Sequence, residues 1–197
     1  MRKAYIIDAK RTPVGKARGL FSKTRADDLL VHAIQSVLKA SDSSEKINNS
    51  IDDIIVGCAM PEGPQGLNIA RIATLLAGLP DSTPAYTLNR FCSSGLQSVS
   101  NAADLIKSGS SDLVIAAGVE SMSSVPMTGF KPSMNPKILL DENISIAYGM
   151  GLTAEKVVQK YGISREAQDQ FAFESHQKAI KANNNGLFEN EIVPIET

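Results

Sequence analysis

The chain has 197 residues, 43% of them apolar and 21% charged, with a formal net charge of −1. This composition suits a globular protein that buries a sizeable core, as one domain or two small ones. The near-neutral balance gives no sign of a nucleic-acid or membrane-surface partner. The only cysteines, Cys58 and Cys92, form no CxxC pair, which argues against a metal or disulfide framework and for a reducing compartment.

Charge interrupts Met1 to Asp8 too early for a secretory signal, and no apolar run approaches transmembrane length. The expected location is the cytoplasm. Ala4 to Ala9 predicts a short strand, closed by Lys10-Arg11-Thr12-Pro13. The loop to Ser22 holds Gly15 and Gly19 among Lys10, Arg11, Lys16 and Arg18, a run that suits a solvated loop better than a phosphate site. Thr24 with Asp27 three residues on has the form of a capping box, with Asp in the usual Glu position. A helix should follow, with Ala26, Leu29, Leu30, Ala33, Ile34, Val37 and Leu38 on its apolar face and His32 on the solvent side.

The polar stretch Ser41 to Ser50 predicts a loop. Ile51 to Ala59 predicts a strand, and its uninterrupted Ile54-Ile55-Val56 implies cover on both faces. Cys58 then reads as a packing residue. Pro61 to Pro64 should turn the chain into a second helix, Leu67 to Leu79, stopped by Pro80. Thr83 to Leu88 predicts a strand. From Leu96 a helix should run to about Lys107, with Val99, Ala103 and Ile106 continuing an apolar stripe, before the strand Leu113 to Ala117. Strands alternating with helices imply βαβ units and a mainly parallel sheet.

Between a strand and a helix lies Asn89-Arg90-Phe91-Cys92-Ser93-Ser94-Gly95-Leu96-Gln97. The first amides of a helix lack partners within it, and the helix dipole favours negative charge there. A thiol at such a point ionises more readily, and the thiolate is the nucleophile. Ser93, Ser94 and Gly95 are small enough to let a substrate carbonyl approach. Two readings of Cys92 remain open on these grounds, an acyl-transferring nucleophile or a small buried hydrophobe. Right-handed crossovers would put its turn at the carboxyl edge of the sheet, where such folds carry their sites.

Residues 122–151 lose any clear period and carry Met122, Met127, Met134 and Met150, a set that fits an adaptable acyl-binding surface or gap filling over the core. From Thr153 two helices are expected, broken at Gly162, with Ser164 capping the second and His176 on its surface. Gly186 to Pro194 reads as a loop entering a further strand.

The segment around Cys92 resembles the nucleophile motif of thiolases, enzymes that cleave or form 3-ketoacyl-CoA thioesters. Ala117-Gly118-Val119-Glu120-Ser121-Met122-Ser123 and Met150-Gly151-Leu152-Thr153-Ala154-Glu155 resemble the family's second and third signatures, in its order. The resemblance runs from Lys3 to the last residue and covers the N-terminal half of a thiolase. It implies an α/β thiolase-like fold, with a mixed, mainly parallel sheet and covering helices over 1–121 and the start of a substrate-covering loop domain over 122–197. It also implies that Cys92 is the nucleophile carrying the acyl thioester, with its backbone N–H in the oxyanion hole, and that Met150 lies near the acyl pocket. Coenzyme A would be a substrate, not a bound cofactor, and the complete enzyme a homodimer or tetramer. The strand before Cys92 and the Leu67–Leu79 helix match segments of the family's dimer interface.

Arg90, Ser93-Ser94 and Gly149 lean toward the degradative 3-ketoacyl-CoA thiolases of fatty-acid β-oxidation. Ala117, where many members have Gly, is a minor departure. The family's His in Gly-His-Pro, its second Cys and its water-holding Asn belong to the C-terminal half and have no match here. The resemblance therefore implies a nucleophile-bearing half, inactive alone, as either a fragment of a thiolase or a half-subunit completed by a separate chain. The rivals are a β-ketoacyl synthase-like condensing enzyme, which would have Ala before the Cys, and a non-catalytic acyl-CoA-binding or assembly module.

Overall fold

The computed structural model describes residues 2–40, 45–140 and 149–196. Its deepest element is β1, Asp53–Gly57, in which Ile54, Ile55 and Val56 have no exposed surface. A strand so apolar needs neighbours on both edges and cover on both faces. Its neighbours are β2 (Ala85–Leu88) and β3 (Val114–Gly118), both parallel to it, in the order β2-β1-β3. Ile55 stands opposite Tyr86 on one side and Ala116 on the other.

The chain leaves β1 for β2, then returns past β1 to reach β3, and the reversal puts the two connecting helices on opposite faces. Helix α3 (Ile69–Leu76) joins β1 to β2 and packs with α1 (Ala26–Ala40). Ile54 and Val56, two apart and so on one face, share a core with Leu30, Ile34 and Leu38 of α1 and Ile69, Ala70 and Ala73 of α3. Helix α4 (Ser94–Ser108) joins β2 to β3 and covers the other face. Right-handed crossovers dictate this arrangement.

Local chemistry sets the helix ends. The Asn68 side chain caps α3 by accepting from the Arg71 N–H. Gly109, at φ 82°, closes α4 in the left-handed conformation that favours glycine. The chain divides into two compact units, Met1–Lys131 with Asn190–Thr197, and Pro132–Glu189. The second contains α5 (Pro136–Leu140), α6 (Met150–Tyr161) and α7 (Arg165–Asn184). Gly162 ends α6 and Ser164 caps α7, accepting from the Ala167 N–H at 3.2 Å. Neither α6 nor α7 has a buried residue. The sequence reading divides the chain after Ser121; the compact units divide after Lys131, with the last residues returning to the first.

Several sequence expectations are corrected. Ala4 to Ala9 forms no strand: residues 4–8 make no backbone hydrogen bond among the described residues, and Tyr5, Ile6 and Ile7 are exposed. Strand propensity without a ladder partner gives only an extended segment. The Thr24 box does not form, because Arg25 takes both Asp27 oxygens, at 2.9 and 2.7 Å. Of the predicted 41–50 loop, residues 41–44 lie outside the described residues, and Glu45–Asn48 is a helical turn, α2. A short 3-10 turn, Gly63–Gln65, precedes α3, which is shorter than the Leu67–Leu79 predicted. Leu67 itself sits at φ 54°, outside helical geometry. Helices α5 and α6 enter the stretch read as aperiodic, of which residues 141–148 lie outside the described residues. The strand predicted toward Pro194 is a single bridge, Arg11 to Ile192.

The largest correction concerns α4. The predicted stripe of Leu96, Val99, Ala103 and Ile106 is not the buried face. Ser94, Ser98 and Ala102 are buried, whereas Leu96 is 75% exposed. Small residues win because the helix lies so close to the sheet: a Cβ on Gly57 would come within 2.3 Å of the Ser94 carbonyl carbon. Ser98 bridges the contact, donating to the Ala117 carbonyl of β3 at 2.9 Å.

Candidate active site

Cys92 lies between the end of β2 and the start of α4, with its side chain exposed. The turn is made by side chains returning to the backbone. Asn89 Oδ1 accepts from the Phe91 N–H at 2.8 Å, an Asx turn that holds Phe91 at φ 47°. A non-glycine residue with left-handed backbone is unfavourable and persists only where its surroundings fix it. Ser94 supplies the rest: its Oγ accepts from the Arg90 N–H at 2.8 Å and donates to the Phe91 carbonyl at 2.6 Å. Ser93 Oγ donates to the Arg90 carbonyl at 2.9 Å. The serines beside Cys92 thus build a sharp corner and leave the thiol facing outward at a helix start.

The carboxyl ends of the other two strands meet this corner. β1 runs through Gly57 into Cys58-Ala59, and β3 runs through Gly118 into Glu120. Asn89 Nδ2 donates to the Ala59 carbonyl at 2.9 Å, tying the β1 end to the Cys92 turn. The Ala59 N–H donates to Glu120 Oε2 at 2.7 Å, tying the same residue to the β3 end. Gln65, fully buried, donates from Nε2 to Glu120 Oε1 and to the Met60 carbonyl, and accepts from the Ser121 N–H at 2.9 Å. This corner lies where β1 and β2 feed helices on opposite faces, the topological position at which open parallel sheets bind ligands.

The second cysteine has a different character. Cys58 is buried, and burial followed by the nearby Glu120 carboxylate pushes its thiol up to about 11. It remains a protonated packing residue at neutral pH, as the sequence implied.

Residues 4–197 match the family described as thiolase, N-terminal domain. The chain belongs to the thiolase family. It is 50% identical, over its whole length, to a 3-ketoacyl-CoA thiolase of Bacillus subtilis (strain 168), of which it covers 49%. It is 44% identical to proteins of the same name from Enterobacter sp. (strain 638) and Aliivibrio salmonicida (strain LFI1238), with 98% and 99% of this chain and 49% and 50% of those relatives covered. The chain spans about half the length of the curated relatives it matches. The family match settles the choice against a β-ketoacyl synthase-like protein, and the parallel sheet with covering helices is the thiolase N-terminal fold.

Of the residues this thiolase sequence singled out, Cys92 lies in the first compact unit and Met150 opens α6 in the second. His176 is exposed on α7, as expected. His32 is half-buried in α1, not on a solvent face, and its Nε2 is buried without a hydrogen-bond partner. The Cys92 thiol makes no hydrogen bond among the described residues. No described helix is long and apolar enough to cross a membrane.

Reading the sequence missed Asn89, Gln65 and Gly57 as contributors to the site. For Asn89 a signal existed: Asn two residues before an unusual turn residue is the mark of an Asx turn. For Gln65 none existed, since nothing local shows that a polar residue in a proline-rich turn is fully buried.

Proposed function

We propose that this chain carries the nucleophile of a thiolase-type acyltransferase acting on 3-ketoacyl-CoA. The observation that carries the reading is the exposed Cys92 just before α4, on a strained corner at the carboxyl edge of the sheet. In the cleavage direction the Cys92 sulfur attacks the 3-keto carbon of the substrate. The bond between carbons 2 and 3 breaks, acetyl-CoA leaves once its carbanion takes a proton, and the shortened acyl group stays on Cys92 as a thioester. The thiol of a second coenzyme A then attacks that thioester, releasing acyl-CoA and restoring Cys92. Condensation is the same sequence reversed.

Each step develops negative charge on a carbonyl oxygen, and preorganised N–H donors at that point lower the barrier. The Cys92 backbone N–H is the donor this chain offers. Proton transfer to and from the thiol and the carbanion needs an acid–base group, a part that this reading assigns to the second half of a thiolase. The reading therefore holds that the chain alone does not turn over, and that activity needs residues from a second half of the kind the full-length relatives possess.

The test mixes the purified chain with a polypeptide carrying a thiolase C-terminal half and follows thiolysis of acetoacetyl-CoA. The expected result is no turnover by the chain alone, turnover on mixing, and its loss with Cys92→Ala. Removing a single oxyanion donor costs about 10²–10³ in rate, and members of a catalytic unit fail together. Robust turnover by the chain alone, or activity that survives Cys92→Ala, would overturn the reading. Persistent inactivity of the mixture, with Cys92 never acylated, would favour a non-catalytic module.

A further inference from the structure

We infer that Glu120, Gln65 and Asn89 are positioning residues that fix the Cys92 turn through one shared backbone unit, Ala59. The inference rests on Cys92 being the nucleophile. Ala59 uses both of its peptide groups for the purpose: its N–H donates to Glu120 at 2.7 Å, and its carbonyl accepts from Asn89 at 2.9 Å. Asn89 is thereby held by one end of its amide, while the other end holds the Phe91 N–H and the left-handed Phe91 backbone next to Cys92. At the far end of the chain, Glu120 is oriented by Gln65, whose own amide is saturated by Met60, Glu120 and Ser121. The route runs from a fully buried amide, through an exposed carboxylate and one peptide, to the corner that carries the sulfur.

Each link has a directional reason. A carboxylate at Glu120 is an acceptor on both oxygens, and both face donors, the Ala59 N–H and the Gln65 amide. Glu120→Gln turns an NH2 toward one of these donors and breaks the match. Gln65→Glu sets two carboxylates against each other. The reciprocal double variant Gln65→Glu/Glu120→Gln again places one amide against one carboxylate and leaves an acceptor for Ala59. It loses the donor to the Met60 carbonyl and moves the carboxylate from an exposed position to a buried one. Polar side chains this interdependent show coupling in double-mutant cycles.

The experiment measures iodoacetamide alkylation of Cys92 at pH 7 by peptide mass spectrometry, with alkylation of buried Cys58 as a report of unfolding. In Asn89→Ala and Glu120→Gln, Cys92 should react about two- to fivefold more slowly, the factor that charge–dipole energies at a helix start correspond to, while Cys58 stays protected. The reciprocal double variant should react faster than Glu120→Gln, a rescue that a merely structural role for either residue does not predict. Asn89 is exposed, so Asn89→Ala keeps the test open if Glu120→Gln fails to fold. Wild-type alkylation rates in Asn89→Ala, or a folded double variant no faster than Glu120→Gln, would overturn the inference. The two readings fail separately. If Cys92 of the wild-type mixture is never acylated, the function is wrong. If that mixture turns over but Asn89→Ala in the same mixture is equally active, only the positioning is wrong.

Discussion

The two faces of β1 are packed on opposite plans. On the Ile54/Val56 face, large aliphatics of α1 and α3 interdigitate with the strand. On the other, which also buries Ile55, Gly57 meets the start of α4 backbone to backbone, and the buried residues of α4 are the small Ser94, Ser98 and Ala102. Burying large side chains supplies most of the free energy of a fold but tolerates volume-conserving change. Contact between backbones supplies little area and tolerates almost no change, since a single Cβ has nowhere to go. The first face holds the fold together. The second fixes where a helix begins, and Cys92 lies two residues before that point.

Ile54→Ala should have the largest effect on stability, a loss of about 2–5 kcal/mol from the transfer and cavity terms together, read as a lower urea midpoint. Gly57→Ala should come next, at about 1–3 kcal/mol for overpacking, because its Cβ would lie 2.3 Å from Ser94 and α4 must move. The comparison sharpens on a second readout taken below both unfolding transitions. Cys92 alkylation should change in Gly57→Ala and remain at the wild-type rate in Ile54→Ala. Equal alkylation changes in the two variants would mean that the faces do not divide the labour in this way.

The same contrast explains how much could be read from the chain alone. The Ile54/Val56 face was legible because large apolar residues at helical and strand periods announce themselves: Leu30, Ile34 and Leu38 fall where the pattern of α1 puts them. The α4 face was misread for the same reason. Leu96 and Val99 dominate any apolar period, yet the buried positions are Ser94, Ser98 and Ala102, and nothing local reveals that Gly57, far off in sequence, lets the helix approach. The Cys92 turn was legible as a motif, from Cys-Ser-Ser-Gly after a β-like segment. Its support was not, because the bonds from Asn89 and Glu120 to Ala59 span 30 and 61 residues. Residues 4–9 show the converse failure. Their strand propensity is real, but a strand exists only where another backbone completes its ladder.

Between the two faces, at the end of the sheet opposite the site, Asp52 Oδ2 accepts the Asp112 and Leu113 N–H groups at 2.6 and 3.0 Å, setting the entry to β3. These two bonds hold its carboxyl below the usual carboxylate range. A depressed carboxylate contributes stability that is fully present above its unfolded value, about 3.9, and that is lost as pH falls through the lower folded value. Asp53 acts with the opposite sign, since burial raises its carboxyl, so the total pH profile mixes the two. The difference between wild type and Asp52→Asn isolates the first. It should be about 0.5 kcal/mol at pH 7, a hydrogen-bond contribution discounted for solvent exposure. It should shrink as pH falls below the unfolded value and vanish below the lower folded one, where both states are protonated. A difference that grows on acidification would contradict the assignment.

The smallest effect should come from the most hydrophobic-looking position on α4. If the small-residue face is the one that packs, Leu96→Ser removes an isobutyl group that is 75% exposed and costs the folded chain almost nothing. Surface substitutions of this kind fall within about ±0.5 kcal/mol, and the lower helix propensity of Ser than Leu adds only a few tenths of a kcal/mol. Ala102→Leu is the mirror test: the same residue type introduced on the other side of the same helix, at a buried position facing the sheet. Overpacking there should cost about 1–3 kcal/mol. Urea midpoints for the pair, measured at low protein concentration, decide which face of α4 carries the fold. A loss above about 1 kcal/mol for Leu96→Ser, a value outside the surface range, would mean that the apolar stripe is covered in the folded chain and that the two-plan description of the sheet is wrong.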